Sequence, residues 1–201
     1  LIDQQDKVRL LIDPTSSYAQ AAAMAMGRAM DDVIITAASA TAFTGETGAT
    51  STAAQTAIAA GGAGLTIAKL RTAKQTFDLA SVDPSIPRHI VVGPEQITNL
   101  LSTTEVTSSD FNTVKALVQG EIDSFLGFKF TVSNRLAKSG NDRTCIAFAQ
   151  DGITLAIGKD VSARIDERAD KSYATQVYYC QSIGATRMEE AKVLGIVCQE
   201  A

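Results

Sequence analysis

Several groups of residues in this 201-residue chain are of types that could do chemistry. Gly61-Gly62-Ala63-Gly64 opens a helix expected from Leu65, and glycine-rich loops at helix starts can cradle phosphate on backbone N–H groups. The nucleotide fingerprints do not fit, however. GxGxxG needs glycine at Ile67, no β-branched strand precedes the loop, and Gly-Lys-Ser/Thr does not occur. The tract reads better as a flexible linker. His89 is the sole histidine, too little for a His-based metal site, and a Ser–His pair would have to recruit a distant partner. It reads as a structural or surface residue. Asp31-Asp32, Asp166-Glu167 and Glu189-Glu190 are acidic doublets, but adjacent side chains point to different faces in helix or strand, so each reads as solvated surface rather than an acid/base dyad. Arg164, Asp166, Glu167, Arg168, Asp170 and Lys171 alternate in sign, three of each charge. Two readings stand: an ordinary charged hairpin, or a lattice of ion pairs to neighbouring subunits that fixes register.

The elements that must position these residues follow from periodicity and breakers. Val8–Ile12 looks like a strand end, and Asp13-Pro14 caps and opens a helix running from Ser16 to about Ser39. Met26, Met30, Val33, Ile34 and Ala37 share one face, while alanines elsewhere leave the rod slender, so it reads as a spine. Residues 41–64 are a Thr/Ala/Gly tract expected to be irregular. A second helix is expected over Leu65–Leu79, a strand at His89–Val92 stopped by Gly93-Pro94, and a short helix from Pro94 to Leu101. A helical segment at 111–119 and strands at 127–132, 144–149 and 153–157 follow. The last 45 residues read as all-β, with strands at Val161–Ile165, Tyr173–Ile183 and Ala191–Cys198. The order is a helix spine, a mixed middle and a β-rich end, which is α+β.

Composition excludes several function classes. Hydrophobic residues are 45% and charged ones 20%, which is globular usage rather than disorder. A chain of this length buries roughly 70% of its unfolded surface and needs no metal or disulfide to fold. The net charge of −4 has the wrong sign for a dedicated nucleic-acid or anionic-membrane binder. Aromatics are 5% with no Trp, too few for base stacking. Cys145, Cys180 and Cys198 are odd in number and lack CxxC spacing, so they read as reduced thiols in strands, fitting an intracellular folding compartment. No run of 18 apolar residues would span a membrane. The chain begins at Leu1 without Met and reads as one whose true beginning has been removed, cleaved or left out of the sequence.

Four stretches in order carry a resemblance: IDPTSSYAQAAAMAMGRAMDDVIITAA, PRHIVVGPEQITNLL, FLGFKFTVSNRLA, and the long segment from Cys145 to Gln199. Together they resemble the major capsid proteins of tailed bacteriophages with the Hong Kong 97-type (Johnson) fold. The resemblance implies that the first stretch is the spine helix of a peripheral domain. The middle two are the strand–turn elements of an axial domain, and the last returns to the peripheral domain's long antiparallel sheet. The domains so implied are 1–40 and 155–201 (peripheral) with 41–154 inserted (mixed, axial). Only about twelve residues precede the spine helix, so the family's N-terminal arm and extended loop are expected to be absent, and no stretch matches a Lys–Asn cross-linking pair beside an acid.

The function so implied is a non-enzymatic shell subunit, self-assembling into pentamers and hexamers of an icosahedral head around double-stranded DNA. It would be assembled in the host cytoplasm and reside in the virion. Its expected partners are copies of itself, scaffolding, portal and decoration proteins, and DNA in weak contact, with no membrane, metal or cofactor. The interface candidates are Arg164, Asp166, Glu167, Arg168, Asp170 and Lys171, with Gly45 and Gly48 near the capsomer centre. The rival readings are an encapsulin-type nanocompartment shell and, from a different class, a nucleotide-binding enzyme using Gly61–Gly64.

Overall fold

A computed structural model of the chain describes residues 15–48, 50–51, 57–102 and 124–200. Expectations for 8–14 and 111–119 lie outside the described residues. Helix α1 spans Thr15–Ser39, about 37 Å of rise. Met26, Met30, Val33, Ile34 and Ala37, the expected face, are all half-buried, and Ala38 is fully buried. Ser39 ends the helix by turning its hydroxyl back onto the Ile35 carbonyl, at 3.1 Å.

The chain divides into two compact units, 1–34 with 155–185 and 35–154 with 186–201. The second holds a seven-stranded sheet. Its strands are β3 (Ala57–Ile58), β4 (Arg88–Val92), β5 (Ser124–Phe125), β6 (Phe128–Val132), β7 (Lys138–Ser139), β8 (Asp142–Ala149) and β11 (Val193–Gln199). The order is β3-β11-β8-β4-β6-β5, with β7 beside β8. β11 and β8 are antiparallel, Ile196 facing Cys145, while β4 runs parallel to β6. Helices α2 (Ile67–Leu79) and α3 (Pro94–Leu101) belong to the same unit.

Local signals explain these helices. Thr66 caps α2 by accepting the Lys69 N–H. At its other end Val82 N–H reaches Phe77 O and Ser81 N–H reaches Asp78 O, the paired bonds of a Schellman motif. Ser81 there sits at φ 56, a position glycine normally takes. Gly93 and Pro94 open α3 as expected, with Pro94 in the first turn, where its missing N–H costs nothing. The core lies between sheet and helices: Leu70, Phe77, Ile90, Leu100, Phe128 and Ile196 are fully buried, and the Phe77 and Phe128 rings meet at 6.0 Å.

The first unit consists of α1 up to Ile34 and a two-stranded ribbon, β9 (Ile153–Arg168) and β10 (Ala174–Arg187), taken over residues 155–185. Tyr179 Oη donates to Ala19 O at 3.1 Å and Gln181 Nε2 to Met26 O at 3.4 Å, tying β10 to α1. Alternation along the strand turns Tyr178 and Cys180 to the ribbon's opposite face.

Three expectations differ. β9 is one continuous strand where the sequence suggests separate strands at 153–157 and 161–165; pairing with β10 keeps the chain extended through Gly158. The Thr/Ala/Gly tract supplies short strands, β1 (Phe43–Thr44) pairing β2 (Thr50–Ser51) and β3 pairing β11. Residues 186–201, expected to group with 155–185, instead join 35–154, because β11 hydrogen-bonds β8 and β3 inside the large sheet.

Candidate functional site

The six alternating charges form the end of the β9–β10 ribbon. β9 carries Arg164, Asp166, Glu167 and Arg168, and a 3-10 turn, Ala169–Lys171, carries Asp170 and Lys171. Ser172 (φ 50) and Tyr173 (φ 56) then reverse the chain through left-handed conformations. Arg168 grips Asp170 with two parallel bonds, Nε to Oδ1 at 2.8 Å and Nη2 to Oδ2 at 2.5 Å. That guanidinium holds the Asp170 carboxyl below its ordinary value, and Asp170 raises Arg168 in turn. Among the described residues no ion pair engages Arg164, Asp166, Glu167 or Lys171, and all four are exposed. Two cations and two anions are therefore left on one ribbon end.

Gly45 and Gly48 shape the turn between β1 and β2. Both hold positive φ, 88 and 65, and Gly48 N–H donates to Gly45 O at 3.2 Å. Their backbone conformation is one that a side chain disfavours.

The sequence's other candidates are committed elsewhere. His89 stacks on Phe148 across the strands, with ring centroids 5.6 Å apart, and lies level with Lys129 on β6. Burial, then Lys129, pushes its pKa down, so the ring is neutral at physiological pH between a phenyl ring and a cation, neither of which relays protons. The Gly61–Gly64 loop turns carbonyls inward rather than amides. Lys69 Nζ takes Ala63 O at 2.7 Å, Gly64 O at 3.0 Å and Val197 O at 2.9 Å. Asn99 fills the space where a Cβ on Gly64 would stand, and Glu95 and Glu200 line the neighbouring cavity of about 480 Å³, where carboxylates would repel phosphate. Of the acidic doublets, Glu189 pairs with Lys192 at 2.9 Å, and Lys192 also reaches Asp151 at 2.7 Å. Together Asp151 and Glu189 raise that ammonium to about 12. All three cysteines lie in strands. Ser162 Oγ, 3.4 Å from Cys180 Sγ, and then Lys159 bring that thiol down to about 7. Among the described residues no cluster of His, Cys, Asp and Glu could hold a metal ion, and no helix is long and apolar enough to cross a membrane.

Sequence reasoning missed the main interior polar cluster. Glu200, almost fully buried, pairs with Arg143 and with Lys138 at 2.5 Å, and accepts from Gln96 Nε2 at 3.2 Å. These partners, Arg143 foremost, hold its carboxyl at about 2. Gly93 is required beside it, since a Cβ there would collide with Gln96 Oε1 and the Arg143 stem. No motif links positions so far apart in the chain; only the strand register brings them together.

A family model described as Phage capsid protein matches residues 1–200, and the chain belongs to that family. No match was found among curated proteins. The fold is similar to a chain from Mycobacterium phage Che8, at 20% identity and TM-score 0.71, covering 98% of this chain and 67% of that one. It is also similar to the capsid of cyanophage P-SCSP1u, at 15% identity and TM-score 0.70, covering 100% of this chain and 70% of the other. The cyanophage Pam1 capsid is similar at 15% identity and TM-score 0.70, covering 100% and 73%. The resemblance read from the four sequence stretches therefore holds for the phage capsid family and for a mixed helix-and-sheet fold similar to phage capsid chains.

Proposed function

We propose that this capsid protein is the major shell subunit of a tailed-phage head of the Hong Kong 97 type, forming pentamers and hexamers around double-stranded DNA. One observation carries the reading. Every residue of the buried hydrophobic cluster belongs to 35–154 or 186–201, while the helix–ribbon unit leaves Tyr18, Met24, Ile157, Ile165 and Tyr178 exposed. Large apolar side chains left exposed on the helix–ribbon unit mark a surface for partners, and neighbouring subunits supply the missing cover.

In this reading 1–34 with 155–185 is the peripheral unit and 35–154 with 186–201 the axial one. Arg164, Asp166, Glu167 and Lys171 pair with the same strip on neighbouring subunits, and the Gly45–Gly48 turn lies near the capsomer centre. Scaffolding, portal and decoration proteins are the further partners, and the assembled head is its location. The net charge of −4 keeps contact with packaged DNA weak. Negative-stain electron microscopy with light scattering on the concentrated protein tests it. Rings of five or six, or closed shells, with nucleic acid inside are expected. Shells holding a protein cargo instead would make it a nanocompartment. A strict monomer at every concentration, even with a scaffold present, would overturn the shell.

A further inference from the structure

The unit built on the large sheet carries a groove that nothing in the shell reading uses. Two cavities of about 530 and 500 Å³ meet at Lys74, Asp78 and Leu126. Their walls combine two chemistries. Among the described residues lining them, Arg71, Lys74 and Arg88 bring three cations against the one carboxylate of Asp78, in a chain whose net charge is −4. Pro84, Ile86, Pro87 and Leu126 are apolar, and Leu79 on the second wall is 78% exposed.

Asp78 does not neutralise the groove. Its Oδ1 is taken by Arg88 Nη2 at 2.8 Å, leaving Arg71 and Lys74 as surplus charge on the exposed face of α2. Arg88 is itself 6% exposed, stands 5.4 Å over the Phe77 ring and keeps its Nε–H buried without a hydrogen-bond partner. Arg88 also donates to Val82 O at 3.2 Å, so it is held in place by Asp78 and the backbone, and the surplus positive charge of the groove is that of Arg71 and Lys74. The rim is also strained. Ser81 and Leu126 both hold left-handed φ, 56 and 52, which non-glycine residues adopt at a cost.

We propose that this groove docks an acidic polypeptide segment of a partner protein, an apolar side chain seating among Ile86, Leu126 and Leu79 while a carboxylate meets Lys74 and Arg71. Charge complementarity selects the acid, and the apolar walls select polypeptide over nucleic acid, whose phosphates would gain nothing from Pro84 or Leu126. The inference rests on the sheet unit alone and stands whether or not the ribbon end joins subunits.

The test is selection of a random dodecapeptide display library on the whole chain at physiological salt. Peptides pairing Asp or Glu with Leu, Ile or Phe are expected. Arg71→Glu with Lys74→Glu, both exposed and so tolerated by the fold, is expected to weaken the selected peptide about tenfold. Leu79→Ser is expected to weaken it several-fold, with melting of both variants unchanged. No enrichment, enrichment of peptides without acids, or binding indifferent to the charge reversal would overturn the proposal. Displacement of the peptide by a twelve-base-pair DNA duplex would reassign the groove to nucleic acid. Selected peptides reproducing a stretch of this chain would reassign it to a second copy.

Discussion

Glu200 and Arg143 stand 57 residues apart in sequence and form an ion pair inside the sheet unit, the carboxylate almost wholly shielded from water. Glu200 N–H also donates to Asn141 O at 2.7 Å, so charge and backbone together anchor the end of β11 against β8. Arg143→Met removes the foremost partner and leaves a buried carboxylate with Lys138 and Gln96. Breaking such a pair costs about 3 kcal/mol, so the urea midpoint falls clearly below wild type with the slope unchanged. An unchanged midpoint would mean that the pair contributes nothing.

Acid should reveal the same carboxylate. Its folded pKa, about 2, lies below the ordinary 4.5, so folding favours the ionised form. The stability it confers is fully present above pH 4.5 and is lost as pH falls through about 2. Melting of wild type against Glu200→Gln across pH 2–6 is expected to show the gap between them narrowing toward the acid end. A constant gap would refute it.

His89 acts near neutrality in the same sense. Burial keeps its folded pKa under the ordinary 6.5, so the neutral ring is favoured, and stability falls as pH drops below 6.5. His89→Gln removes that slope; two-dimensional NMR of the ring against pH gives the titration directly.

Ser81 offers a gain. It occupies the left-handed position of the Schellman turn after α2, where glycine is free of Cβ strain. Ser81→Gly is expected to stabilise the fold by about 1 kcal/mol, read as a higher urea midpoint. A lower midpoint would show that the serine hydroxyl contributes more than its backbone strain costs.

The ribbon end is tested by reversal and restoration. Asp166→Lys with Glu167→Lys makes the strip wholly cationic and is expected to abolish or slow assembly seen by light scattering, leaving subunit melting unchanged. Adding Arg164→Glu and Lys171→Glu restores both signs of charge to the ribbon end, and assembly is expected to return. Assembly that ignores both changes would remove these charges from the interface.

Much of this was legible in the linear chain because the signals are local. Pro94 and Gly93 mark where α3 must start, the spacing of Met26, Met30 and Val33 marks the inner face of α1, and strand patterning marks 89–92 and 127–132, within a residue of the strands at Arg88–Val92 and Phe128–Val132. The four family-like stretches are local too, which is why the family could be read before the fold. The exposed ribbon charges were visible as charges, but their state was not: that Arg168 would spend itself on Asp170 while Arg164 and Lys171 stayed unpaired depends on the turn at 169–173.

Other features had no local trace. Ala57–Ile58 lies in a tract that reads as irregular, yet it pairs with Gly195 and Ile196, and that partnership makes it a strand. β11 follows directly on a ribbon whose strands lie largely in one unit, but its backbone groups find their partners in the other unit's sheet. Sequence by itself determined the helix ends, the apolar faces and the family, since caps, prolines and periodicity act over a few residues. Tertiary structure alone decided strand partners, the Glu200 cluster and the cationic groove, because hydrogen bonds and buried charges between distant positions exist only once the sheet has closed.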